Sequence, residues 1–351
     1  MSPWPADKTL QLCQVPSVIG DEKALCDQLE RWCQARFDTV RRISHSLVAG
    51  RFDDARPTLA LVGHLDTVPV HPEDGPARRE NDRVYGLGAS DMKGGIAVAM
   101  ELLETLDRAP LPYNLALILY EREEGPYEHN GLGPVLEQLP ELKRIALAVC
   151  MEPTDNEIQV GCVGGLHATV TFRGRSAHSA RPWQGENAIH KAGELLTELH
   201  HRERTRVEVE GFEYFEVISA TLAKAGRARN VIPESFELNL NYRFAPGKSL
   251  ETAEQELRAF IGDRADVTII DRSPSGRVCA ENPLYQRFVQ STGAKLTSKQ
   301  VWTDVARFSA AGIDAVNFGP GLTAQAHQKN EYVPVDMLVQ SYEMLRRFLA
   351  G

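Results

Sequence analysis

Hydrophobic positions in this chain follow two different rhythms. Four short apolar runs read as buried strands: Thr58–Gly63 (TLALVG), Leu115–Tyr120 (LALILY), Ile145–Cys150 (IALAVC) and Ala315–Phe318 (AVNF). The first three lead into acid-bearing turns, HLD, EREEG and MEP, and the fourth leads into GPG. Helical spacing separates several of them. Leu25, Leu29 and Trp32 mark an amphipathic helix within Asp21–Phe37. Ile96, Met100 and Leu103 mark another over Met92–Leu106, with Ser90 or Asp91 as its N-cap. Strands and helices in alternation predict an α/β sheet covered on both faces, whose ligand site gathers at the carboxyl ends of the strands.

The middle of the chain changes rhythm. His167–Arg173 (HATVTFR) and Ser235–Phe244 (SFELNLNYRF) alternate apolar and polar residues, as half-exposed antiparallel strands do. Between them, Asn187–His200 reads as a helix carrying Ile189, Leu195 and Leu196. This is the pattern of a smaller α+β domain inserted into the first. The expected division is residues 1–165 and 281–351 for the outer α/β domain, with its mixed sheet flanked by helices, and 166–280 for the insert with an antiparallel sheet.

Composition narrows the function classes. The chain has 351 residues, enough for two domains. Its formal net charge of −9 argues against a general nucleic-acid surface, so an acidic ligand would need a local basic pocket. No stretch approaches the ~18 apolar residues of a membrane span, and the first ten residues lack an apolar run. The six cysteines, Cys13, Cys26, Cys33, Cys150, Cys162 and Cys279, form no Cys-x-x-Cys pair and read as buried free thiols. The expected compartment is the reducing cytoplasm.

The candidate chemistry lies in the turns. His64 and Asp66 follow the first apolar run, Asp91 opens a helix, Glu123 and Glu124 follow the second run, Glu152 follows the third, and His327 sits in a late loop, AQAHQKNEY. A lone His-x-Asp, an adjacent glutamate pair or a loop histidine is ordinary surface. The combination is not, because the same sheet edge is expected to receive all of them. Imidazole plus carboxylate is a hydrolytic metal-ligand set, and so many clustered carboxylates would be costly to bury without a cation. Adjacent carboxylates can divide their work, one on a metal and one carrying protons.

The motifs resemble those of the zinc-dependent aminoacylase, desuccinylase and carboxypeptidase family. GHLDTVP at 63–69, GLGASDMKGG at 86–95, REEG at 122–125, MEPT at 151–154 and the His327 loop occur in that family's order along nearly the whole chain. RSAHSARPWQGENAIHK at 175–191, NVIPESFELNLNYRFAP at 230–246 and VWTDVARFSAAGIDAVNFGPG at 301–321 bring it nearest to the desuccinylase members. The resemblance implies a catalytic domain with a lid through which two subunits dimerise. It implies two Zn2+ per subunit, with Co2+ or Mn2+ as possible occupants. His64 and Glu152 would hold one ion, Glu124 and His327 the other, and Asp91 both. Asp66 would orient His64, Glu123 would be general base and acid, and a cis bond would join Asp91 to Met92. His178, supplied across the dimer, would stabilise the oxyanion. Arg181, Asn230, Arg243, Thr303, Asp304 and Gly319 would contact or shape the site for a small acidic N-acyl amino acid. The implied reaction is hydrolysis of the amide of N-succinyl-LL-2,6-diaminopimelate. Another N-acyl-amino-acid deacylase, such as an acetylornithine deacetylase, or a metallo-carboxypeptidase or dipeptidase, is the alternative. A non-catalytic binding relative should have lost a ligand or Glu123, and neither is missing.

Overall fold

The computed structural model describes residues 4–52 and 55–350. The chain divides into two compact units. The first comprises residues 1–161, 277–299 and 307–351, and the second comprises 162–276 and 300–306. Sequence reasoning left 300–306 with the outer domain. Long-range bonds group it with the insert: Trp302 Nε1 donates to the Pro274 carbonyl at 3.0 Å, and the Phe215 N–H donates to Gln300 Oε1 at 3.1 Å.

The first unit is built on an eight-stranded mixed sheet. Its order is Val40–Ile43, Ser46–Ala49, Asn114–Tyr120, Thr58–His64, Ile145–Cys150, Ala315–Asn317, Ile158–Val160 and Leu296–Ser298. The third to sixth of these run parallel. Thr58–His64 and Asn114–Tyr120 are buried at every position, which explains their unbroken apolar runs: a strand covered on both faces has no solvent side to mark. Flanking helices supply the cover. Lys23–Gln34 buries Leu25 and Leu29, as its spacing predicts, together with Cys26 and Cys33, whereas Trp32 is only half-buried.

The Met92–Leu106 expectation is corrected at its start. The helix is Gly94–Thr105, preceded by a separate wide turn at Ala89–Lys93, and neither Ser90 nor Asp91 caps it. Their backbone N–H groups are held instead by Glu331, as described below.

The second unit carries a five-stranded antiparallel sheet in the order Thr205–Val209, Phe212–Ala225, Ser235–Phe244, Gly164–Arg173, Asp266–Ser273. Alternation sorts its faces. Leu166, Ala168, Val170 and Phe172 join Leu238, Leu240, Tyr242 and Phe244 in a core with helix residues Leu195, Leu257 and Ile261. Each such large apolar side chain contributes roughly 1.5–3 kcal/mol by burial. The expected Asn187–His200 helix is two pieces, Ala188–Lys191 and Gly193–His201, with Asn187 capping the first through its side-chain oxygen. All six cysteines are free thiols; five are buried and Cys13 is half-buried.

Candidate metal centre

Parallel register delivers the polar turns to one sheet edge. His64 pairs with Tyr120, Val62 with Cys150 and Asn317 with Cys150, so the segments that follow leave the sheet together. His64 closes its strand and is buried. Its Nδ1 lies 3.0 Å from the Asp66 carbonyl oxygen, which makes Nδ1 the protonated nitrogen and turns Nε2 to Asp91 Oδ1 at 3.1 Å. The Asp66 carboxylate lies farther from that ring, at 3.6 Å. It accepts instead the backbone N–H groups of Glu123 at 3.0 Å and Glu124 at 2.9 Å. Asp66 therefore sets the glutamate pair through its carboxylate, while its main-chain carbonyl fixes the His64 ring and its charge acts on that ring from 3.6 Å.

Asp91 lies in the turn before its helix, and the Asp91–Met92 peptide is cis. His327, at φ 61°, brings Nε2 to 2.9 Å from Glu124 and 3.6 Å from Asp91 Oδ2. Two triads result, His64–Asp91–Glu152 and Asp91–Glu124–His327, each with ligand atoms within 4.8 Å of one another, and they share Asp91. Glu123 joins His64 and Glu124 in a third such group. The structure thus brings together the five sequence-predicted ligands and Glu123.

The electrostatics match a site built for cations. Burial alone would lower the His64 pKa, but Asp66 and Asp91 outweigh it and raise it well above the ordinary value. Burial alone would raise Asp91, but His64, His327 and Lys299 together pull it down. His327 is raised to about 9, chiefly by its bond to Glu124. Imidazole and carboxylate donors without a thiolate suit a borderline-hard divalent ion.

Two participants escaped the sequence reading. Buried Glu331 accepts backbone N–H groups from Gly88 at 2.8 Å, Ser90 at 2.7 Å and Asp91 at 2.8 Å. Burial, reinforced by the Asp91 charge, pushes it up to about 8. Its signal was its place in the His327 loop, four residues on. Lys299, also buried, contributes its charge to Asp91, and nothing local marks it.

Gly319 has a packing role beside Glu152. A Cβ there would stand 2.4 Å from the Met151 carbonyl oxygen and 2.6 Å from that of Glu152, and a Cβ at Gly95 would stand 2.2 Å from the same Met151 oxygen. Thr154 Oγ1 bridges to the Gly319 N–H and C=O, both at 3.1 Å. The remaining predicted residues lie in the second unit. Exposed His178 pairs with Val231 in a two-stranded ladder, Ser179 N–H donates to the Asn230 carbonyl at 2.9 Å, and Arg181 N–H to the His178 carbonyl at 2.8 Å, so these three share one small region. Arg243 is half-buried in its strand over Gly165, and burial lowers its pKa. Thr303 and Asp304 are buried.

The chain is similar over almost its whole length to named relatives. It is 37% identical to a Mycobacterium tuberculosis protein provisionally named succinyl-diaminopimelate desuccinylase DapE, covering 99% of this chain and 98% of that one. It is 34% identical to the succinyl-diaminopimelate desuccinylase of Corynebacterium glutamicum, covering 97% and 95%. Its fold is similar to that of a tripeptidase from Staphylococcus aureus, with TM-score 0.81, 18% identity and coverage of 99% and 97%. The model of peptidase family M20/M25/M40 matches residues 60–351, a span that holds all five ligand positions and the glutamate pair. On that match and these identities, the chain belongs to peptidase family M20/M25/M40.

Proposed function

We propose that this chain hydrolyses the amide bond of N-succinyl-LL-2,6-diaminopimelate, releasing succinate and LL-2,6-diaminopimelate, with two divalent ions held by His64, Asp91, Glu124, Glu152 and His327. The observation that carries the hydrolytic part is the sharing of Asp91 between two ligand triads beside Glu123. The substrate is supported by similarity to the two desuccinylases across nearly the full chain. The donor set favours Zn2+ and also accommodates Co2+ or Mn2+.

When bound, the ions supply Lewis acidity to the scissile carbonyl and to water. Glu123 takes the proton from the attacking water and returns it to the departing amine. Asp66 fixes Glu123 and Glu124 through their backbone N–H groups, so the proton carrier is positioned before substrate arrives. His178, supplied across the dimer, donates a hydrogen bond to the developing oxyanion. Arg181 and Arg243 bind substrate carboxylates, with Asn230, Thr303 and Asp304 as polar partners and Gly319 admitting the close turn. In this reading the first unit is the catalytic domain and the second a lid through which a homodimer forms in the cytoplasm. Support for the dimer comes from the Phe212–Ala225 strand. Past Glu216 its outer side has no strand partner among the described residues, and Leu222 is 72% exposed there. No helix among the described residues is long and apolar enough to cross a membrane.

The test is succinate release by the Zn2+-supplemented protein from N-succinyl-LL-2,6-diaminopimelate, with N-acetylornithine and a dipeptide in parallel. Turnover of only the latter two would reject the desuccinylase reading and retain a deacylase or peptidase.

A further inference from the structure

Behind the glutamate pair, three other elements of the first unit bring ligand-type side chains together. Glu22 stands at the start of the Lys23–Gln34 helix, His45 at the turn of the Val40–Ala49 hairpin, and Glu121 just past the Asn114–Tyr120 strand. One ligand atom from each lies within 4.8 Å of the others. Neither carboxylate is at the surface: Glu22 is fully buried and Glu121 is 7% exposed.

We propose that Glu22, His45 and Glu121 form a third divalent-cation site, separate from the centre around Asp91, that takes a zinc-class ion and leaves a coordination position open to solvent beside His45.

The hydrogen bonding leaves one oxygen unaccounted for. Glu22 Oε1 accepts the Gly20 N–H at 2.7 Å. Its Oε2 is buried with no hydrogen-bond partner among the described residues, and it points to His45 Nδ1 4.0 Å away. Glu121 Oε1 accepts the His45 N–H at 3.2 Å, and its Oε2 lies 3.0 Å from His45 Nδ1. A buried carboxylate oxygen without a donor costs several kcal/mol by the usual order of magnitude, and a cation between the two glutamates removes that cost. Burial raises the Glu22 pKa, and Asp66 and Glu121 push it the same way, so its charged surroundings are acidic. Arg42, on the same hairpin, is already engaged by Asp27 at 2.7 Å and Glu30 at 2.6 Å. Carboxylate oxygen and imidazole nitrogen are both donor types that zinc accepts, and three protein ligands leave a fourth tetrahedral position open. An ion there would tie the helix start and the hairpin turn to the strand end that continues into Glu123 and Glu124.

The test is bound metal per chain after Zn2+ loading and dialysis of the full-length protein, by elemental analysis. His45→Ala and Glu22→Gln are each expected to lose one ion per chain relative to the unaltered protein. His45→Asp, which restores a ligand, is expected to regain it, and His129→Ala, an exposed histidine elsewhere, to lose nothing. In an Asp91→Asn background one ion should persist and disappear on adding His45→Ala, which separates this site from the Asp91 centre even if that centre proves to bind no metal. Unchanged metal content in both His45→Ala and Glu22→Gln overturns the proposal and leaves a plain histidine–glutamate contact.

Discussion

Glu331 holds Asp91 by its backbone and leaves its side chain free for ligation. One oxygen, Oε1, accepts both the Ser90 and Asp91 N–H groups, and Oε2 accepts that of Gly88. Three donors that would otherwise be orphaned in the turn before a helix are thereby satisfied. Removing this support should loosen the residue common to both triads. Glu331→Ala is expected to weaken metal binding about 10- to 100-fold, the usual effect of losing a ligand's supporting partner. Metal titration of the purified variant checks this, and affinity unchanged within threefold would show that the turn keeps its shape unaided.

Glu123→Gln keeps the side-chain size and removes the proton-carrying group. Turnover is expected to fall at least about 10²- to 10⁴-fold, with metal content retained. Full activity in the variant would move the base assignment to another group.

Metal uptake should depend on pH with a definite sign. His327 is raised to about 9, so at pH 7 it carries a proton that an incoming ion must displace. His64, also raised, adds a second. Affinity should therefore climb with pH, roughly tenfold per unit for each displaced proton. The His327 contribution should flatten above about pH 9. Calorimetry in buffers of different ionisation enthalpy measures the protons released, and uptake without proton release would contradict the assignment.

Gly319→Ala places a methyl group against two carbonyl oxygens. The expected cost is about 1–3 kcal/mol of stability, read from urea unfolding, together with weaker binding at the Glu152 ligand. A neutral outcome would show that the loop after Asn317 has room to retreat.

Thiol chemistry offers a separate check on packing. Burial pushes Cys13, Cys26 and Cys33 up to about 12, so at pH 8 the native protein should present almost no thiolate at these positions. Alkylation followed by mass spectrometry should label them only after denaturation. Rapid labelling of Cys26 or Cys33 in the native protein would mean that their helix opens readily.

The sequence was most legible where burial is two-sided. The strands ending at His64 and Tyr120 announced themselves because every position is covered, and the alternation of Ser235–Phe244 revealed which of its faces is packed. The metal-ligand candidates were legible because each follows such a strand or sits in a motif with its own chemistry. What local pattern could not carry was contact across the chain. Asp91 looks like a helix cap until Glu331, 240 residues away, is seen to hold its N–H. Asp66 looks only like a partner for its neighbour His64, yet its carboxylate also holds the N–H groups of Glu123 and Glu124, 57 and 58 residues on. The segment 300–306 carries no internal sign that it belongs with the insert, because the bonds that place it are to Pro274 and Phe215.

The Met151 carbonyl oxygen, approached from two directions by glycines 95 and 319, has an evolutionary consequence. At that seam no substitution is small enough to be conservative, since even a single added carbon collides with main chain. Random mutagenesis should therefore outline the site by a trail of intolerant positions lacking any side chain, visible to selection as sharply as the charged residues they allow to meet.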